Sequence, residues 1–281
     1  MRSTEVAKGE GASLPAFARL PINRCNLPAV ILGSLTFQDH PTALYLDGVE
    51  ELHRDFFARL DRLSLAHQRA RVFRDYITVA FRLEHPEEMG LSEGGEGGRG
   101  RSKATWARLL RGWTFDADGR EAAVLKGWVE SRFGLLPRHH RGALREPGDA
   151  LWRCYEEMRA AGLYGTNALE AQLDLIYAYC QYEFRRGAGG DAPGKLTLYR
   201  GINRMQEYER LAGEGRDQVL LFNNLTSFSA ERERAEEFGD RIVQVVVPTP
   251  KIFCHCHLLP GLLGGESEYL VIGGAYRVSI E

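Results

Sequence analysis

This sequence predicts an α+β fold, on three observations. Apolar residues recur at spacings of three and four from about residue 52 to 184, as on the buried faces of helices. The segment GAGGDAPG at 187–194 then breaks every pattern. Beyond it the period falls to two and six short apolar runs follow in close order. Helices first and strands last indicate α+β rather than alternating βαβ units.

The elements follow in order. Residues 1–20 are polar, lack the apolar core of a secretory signal, and are expected to fray. A short apolar run over 27–35 leads to a turn at Asp39-His40-Pro41. Leu52, Phe56, Phe57, Leu60 and Leu63 mark a helix, and Val72, Phe73, Tyr76, Ile77, Ala80 and Phe81 continue it. GLSEGGEGGRG at 90–100 cannot build a core, so 90–102 is expected to be a flexible loop. Trp106, Leu109, Leu110 and Trp113 open the next helical face, and Ala122, Leu125, Trp128, Val129 and Phe133 the one after. The clearest helices are 151–161 and 168–184, the second with a stripe of Leu169, Leu173, Ile176, Tyr177 and Cys180. Strands are expected at 195–200, 218–223, 241–247, 250–257, 268–272 and 275–280, with short helices at 205–212 and 231–238. The chain thus divides into a mostly helical part, 1–190, and a β core, 191–281, expected to form one compact unit.

Composition narrows the function. Lys plus Arg is 36 against 38 for Asp plus Glu, a net charge of -2, which argues against bulk nucleic-acid binding. No apolar run approaches the ~18 residues of a membrane helix. Five scattered cysteines read as reduced thiols in a cytoplasm. The 31 glycines exceed the roughly 20 of average usage, without a collagen period.

Three tempting motifs fail. Residues 95–100 fit G-x-G-x-x-G but lack the preceding strand and following helix that make it a dinucleotide site. GGDAPGK at 189–195 resembles a P-loop, but Leu196 stands where the Mg²⁺-binding hydroxyl belongs. In Cys254-His255-Cys256-His257 strand alternation sends thiols and imidazoles to opposite faces, so no metal site is expected.

One constellation survives. Arg200 and Gly201 close a strand, Ser227 and Ser229 share one face of an extended segment, and Glu266 and Glu268 follow Gly264-Gly265. Each alone is more often a solvated strand edge. In this order, with AEEFG at 235–239 and the apolar strand after it, they resemble the R-S-E type of arginine-specific ADP-ribosyltransferases. With NRCNLPAVILGSLTFQ (23–38) and TLYRGINRMQEYERL (197–211), the whole chain is similar to the dinitrogenase reductase ADP-ribosyltransferase family, whose members switch off nitrogenase through its iron protein.

The resemblance implies a β core of two packed, mainly antiparallel sheets and NAD as co-substrate. Arg200 would grip the pyrophosphate, for which a planar, permanently charged fork is suited. Gly201 would let the nicotinamide amide approach the backbone, Ser227 would support the nicotinamide-ribose site and help orient Glu268, Ser229 would join the cofactor-binding set, and Phe238 would stack on nicotinamide. Phe238 reads equally well as a core residue. Glu268 would stabilise the charge developing on the ribose C1 during glycosidic cleavage. Glu266 would orient the acceptor guanidinium and take its proton. Phe228 replaces the usual small residue between the serines, and alternation turns it away from the site. The family also implies the iron protein as substrate and regulation by a PII signalling protein. Two other readings remain open: NAD glycohydrolysis, with water as acceptor, and a non-catalytic NAD-sensing module.

Overall fold

Helix-forming segments fill the first part of the chain, several of them started or stopped by a recognisable residue. The computed structural model describes residues 13–83, 105–188, 193–205, 208–259, 261, 263 and 267–281. The expected loop at 90–102 lies outside them. The helices are α1 (Ala29–Leu32), α2 (Leu35–Asp39), α3 (Val49–Leu52), α4 (Arg54–Asp61), α5 (Ala66–Ala80), α6 (Trp106–Phe115), α7 (Arg120–Phe133), α8 (Ala150–Leu163) and α9 (Leu169–Ala188). Thr105 caps α6 by accepting from the Arg108 N–H, and Asp149 caps α8 by accepting from Trp152 at 2.7 Å. Gly134 ends α7 at φ +68°, a conformation glycine adopts without steric cost. Ala122 through Val129, with Arg132 and Phe133, are all buried, so α7 is enclosed on every side.

The remainder is β1 (Lys195–Ile202), β2 (Glu209–Glu214), β3 (Asp217–Ser229), α10 (Arg232–Glu236), β4 (Arg241–Pro248), β5 (Ile252–His255) and β6 (Glu268–Ile280). All strand pairs are antiparallel. The long strands β3 and β6 pair from Asp217↔Ser279 to Ser229↔Glu268, and β1 pairs with β4 along its whole length. The α+β class holds. Two separate sheets do not: hydrogen bonds join the six strands into one sheet in the order β2-β3-β1-β4-β6-β5. The reason is the length of β3 and β6. One end of β6 pairs with β5 and the other with β4, while β3 pairs with β2 early and touches β1 only at Tyr199↔Ser229.

Two local expectations are corrected. The helix expected over 205–212 does not extend past Tyr208: Glu209–Glu214 is β2, paired Glu209↔Leu221 to Glu214↔Asp217. Met205, Tyr208 and Leu211 mimic a helical spacing, but pairing with the neighbouring strand prevails. The two strands expected at 268–272 and 275–280 are one. The chain passes Gly273 because β3 bulges between Phe222 and Leu225, where a Cβ on Gly273 would lie 1.9 Å from the Asn223 carbonyl oxygen.

A continuous apolar core runs from the helices into the strands, including Phe73, Trp128, Phe133 and Tyr177 with Phe222, Val245, Phe253 and Val271. Polar ties cross the same boundary. Tyr177 donates to the Pro250 carbonyl at 2.8 Å, and Gln181 donates to the carbonyls of Thr249 and Ile252. The helical part is therefore packed against the strands that carry the site.

Candidate active site

Strand alternation builds the centre of the site. Ser227 and Ser229 share a face of β3, and Phe228 points the other way, 3% exposed and edge-on to Phe222 with ring centroids 5.2 Å apart. Across the ladder Glu268 is the Cα partner of Ser229, yet its carboxylate reaches the diagonal serine. Ser227 Oγ donates to Glu268 Oε1 at 2.7 Å. Arg200 arrives from β1. Its Nη1 donates to the Ser227 carbonyl at 2.6 Å and its Nε to the Tyr208 hydroxyl at 2.9 Å. Arg200, Ser227 and Glu268, far apart in sequence, are thus tied together around one residue of β3.

Burial raises the Glu268 pKa, and donation from Ser227 and the charge of Arg200 oppose it. A carboxylate in this setting is thinly solvated, so its field on a neighbouring cation is stronger than in water. Ser267, just before it, takes the left-handed conformation at φ +63°. That costs about 1 kcal/mol or more for a non-glycine residue. Its hydroxyl donates to Glu231 Oε1 at 2.6 Å and its carbonyl accepts from Ala230, which hold the turn into Glu268. Glu266, the other expected glutamate, lies outside the described residues, as do Gly264 and Gly265.

Gly201 serves a backbone approach within the protein. A Cβ there would sit 2.0 Å from the Ala235 carbonyl oxygen and 2.8 Å from the Gly239 nitrogen. This close seating of the segment after α10 brings Phe238 beside the strand that carries Arg200. Phe238 is 72% exposed, which removes the core reading and leaves the ring open to a ligand. Ser229 Oγ accepts from the Glu231 N–H at 3.0 Å, a local bond that starts α10.

Arg200 and Ser227 open onto a cleft of about 690 Å³, whose far wall comes from the helical part and the loop after α7. That volume suits a cofactor-sized ligand, for which ~300–1,000 Å³ is usual. The wall is charged. Lys126, buried in α7, donates to Asp118 Oδ1 at 2.9 Å and to the His139 carbonyl at 3.0 Å. Burial alone would raise Asp118, but the bond from His139 and the charge of Lys126 hold it well below the usual carboxylate range. Burial, then the charge of Lys126, pushes His140 down to about 4. Arg138 lies over the Phe17 ring at 4.6 Å at the same cleft. A guanidinium has five N–H donors, and among the described residues Arg200 spends one on Tyr208 and one on Ser227, so the fork can still grip a pyrophosphate.

Sequence reasoning missed two residues here. Trp113 on α6 donates from Nε1 to Ser227 Oγ at 2.8 Å. Tyr208, assigned to a helix, anchors Arg200 instead. The cysteine–histidine run ends its strand at His255, which stacks on Tyr269 at 5.1 Å, and all five cysteines are free thiols. Among the described residues no cluster of three or more His, Cys, Asp or Glu is arranged to hold a metal, and no helix is long and apolar enough to cross a membrane.

The family model described as dinitrogenase reductase ADP-ribosyltransferase matches residues 22–280. The chain is 38% identical over 260 residues to the NAD(+)–dinitrogen-reductase ADP-D-ribosyltransferase of Rhodospirillum rubrum, covering 91% of this chain and 93% of that protein. No solved structure matches.

Proposed function

The chain belongs to the dinitrogenase reductase ADP-ribosyltransferase family, and we propose that it transfers ADP-ribose from NAD to an arginine of dinitrogenase reductase, releasing nicotinamide and inactivating that protein in the cytoplasm. The observation that carries the reading is the hydrogen-bonded set of Arg200, Ser227 and Glu268, of which Arg200 and Ser227 line a cofactor-sized cleft.

The roles follow from chemistry. Arg200 binds the pyrophosphate with the donors that Tyr208 and Ser227 leave over. Phe238, exposed beside β1, stacks on the nicotinamide, while Gly201 and Ser229 seat the segment that presents it. Breaking the bond between ribose C1 and the nicotinamide nitrogen sends the electron pair to nicotinamide and leaves positive charge on the sugar. Glu268, fixed by Ser227, stabilises that charge more than the ground state, which accelerates the step. The acceptor guanidinium is protonated at neutral pH and a poor nucleophile. Glu266 orients it and takes the proton lost as the new C–N bond forms. A PII signalling protein as regulator is the family's implication for this chain as well.

Incubation with labelled NAD and an extract of nitrogen-fixing cells tests the reading. One labelled band at the mass of the iron protein, lost when its acceptor arginine is replaced, is expected. Label released only as free ADP-ribose would favour NAD glycohydrolysis instead.

A further inference from the structure

We propose that Trp113, supplied by the helical part, is a positioning residue that sets the direction of the Ser227 hydroxyl and through it the orientation of the Glu268 carboxylate. The inference rests on the transferase reading above and deepens it. A serine hydroxyl has one proton and can donate or accept in several rotor positions. An indole N–H can only donate. With Trp113 Nε1 at 2.8 Å, Ser227 Oγ is an acceptor on that side, so its single proton goes to Glu268 Oε1, 2.7 Å away. The chain Trp113→Ser227→Glu268 therefore has one direction.

The surroundings make this bond specific. Trp113 is 3% exposed and its ring is packed in the core, so the N–H needs a partner, and Ser227 provides it. On the other side of Ser227, Arg200 holds the backbone carbonyl. The serine is thus fixed by its main chain from β1 and by its side chain from α6. Trp113 also lines the cleft together with Lys126, whose ammonium lies 5.9 Å from the indole centroid. The helical half consequently contributes a member of the hydrogen-bond chain that ends on the carboxylate. Among the described residues, the charged or titratable groups acting on Glu268 are Arg200 from β1 and, from the neighbouring strand β5, Cys254, whose thiol burial pushes up to about 12 and so keeps neutral.

The test is a double-mutant cycle on labelled ADP-ribose transfer. It uses Trp113→Phe, Ser227→Ala and the double variant in the full chain. A second replacement of Trp113, by benzothienylalanine, keeps the ring volume and removes only the N–H. Either replacement alone is expected to lower kcat about fivefold to tenfold, the scale of one hydrogen bond in a charged network, with KM for NAD changed less than twofold. In the Ser227→Ala background the same replacement is expected to have no further effect. The acid limb of the kcat profile should move to higher pH, because a carboxylate receiving a poorer hydrogen bond protonates more easily. Equal losses in both backgrounds, or full activity of the benzothienylalanine protein, would overturn the positioning role while leaving the transferase reading intact. Absence of transfer by the wild-type protein would instead overturn the reading on which it rests.

Discussion

Glu268 stands opposite Ser229 in the β3–β6 ladder but accepts its hydrogen bond from Ser227, the diagonal neighbour, at 2.7 Å. Diagonal side chains on one sheet face lie close enough for such contacts when one is long. The two serines of one motif therefore do different things. Ser227 holds the carboxylate, and Ser229 receives the Glu231 N–H and starts the helix that leads to Phe238.

Arg200→Lys should raise KM for NAD by at least tenfold with a smaller change in kcat. Lysine offers a point charge in place of a fork that is already aligned by Tyr208 and Ser227. Steady-state kinetics with varied NAD check this; an unchanged KM would place the pyrophosphate away from Arg200.

Phe238→Ala should leave the unfolding free energy within about 0.5 kcal/mol of wild type, as for most surface substitutions. It should raise KM for NAD several-fold, because the 72% exposed ring is available to a ligand and not to the core. Urea unfolding and steady-state kinetics on the same preparation separate the two effects.

Gly201→Ala should behave in the opposite way. The new methyl group would fall 2.0 Å from the Ala235 carbonyl oxygen, a rigid backbone atom, so β1 and the segment after α10 must separate. A cost of about 3 kcal/mol is expected, at the upper end for overpacking. Denaturant unfolding measures it, and a stable, fully active variant would show that the contact is soft.

Stability should fall as pH drops from about 6.5 to 4. His140 is held neutral by burial and by Lys126, with its pKa at about 4, and burial does the same to His255. In that window the unfolded chain binds protons that the folded chain does not, so acid favours unfolding. The shift from about 6.5 corresponds to at most ~3 kcal/mol for each histidine. Urea midpoints measured from pH 7.5 to 4.5 should show the decline, and His140→Gln should make it shallower.

Much of this site was legible because it is local. Strand alternation alone puts Ser227 and Ser229 on one face and Phe228 on the other, and the change of period at the glycine break separates helices from strands. Residues tied by long-range contacts were not legible. Trp113 has the spacing of an ordinary core residue, and nothing in its neighbours says that its N–H meets a serine 114 positions away. Tyr208 sits in a run with helical spacing that becomes β2 only because β3 is there to pair with it. The seating of Gly201 against the Ala235 carbonyl is likewise a contact across 34 positions that no neighbouring residue announces.

The most direct measurement is transfer of labelled ADP-ribose to purified dinitrogenase reductase by wild type and Glu268→Gln, with NAD binding followed by calorimetry. Glutamine keeps the shape and removes the charge, so transfer should fall at least a hundredfold, the scale of losing one preorganised electrostatic group, while NAD affinity stays within about threefold. Transfer at the wild-type rate by Glu268→Gln would contradict the assignment of the carboxylate that Ser227 holds.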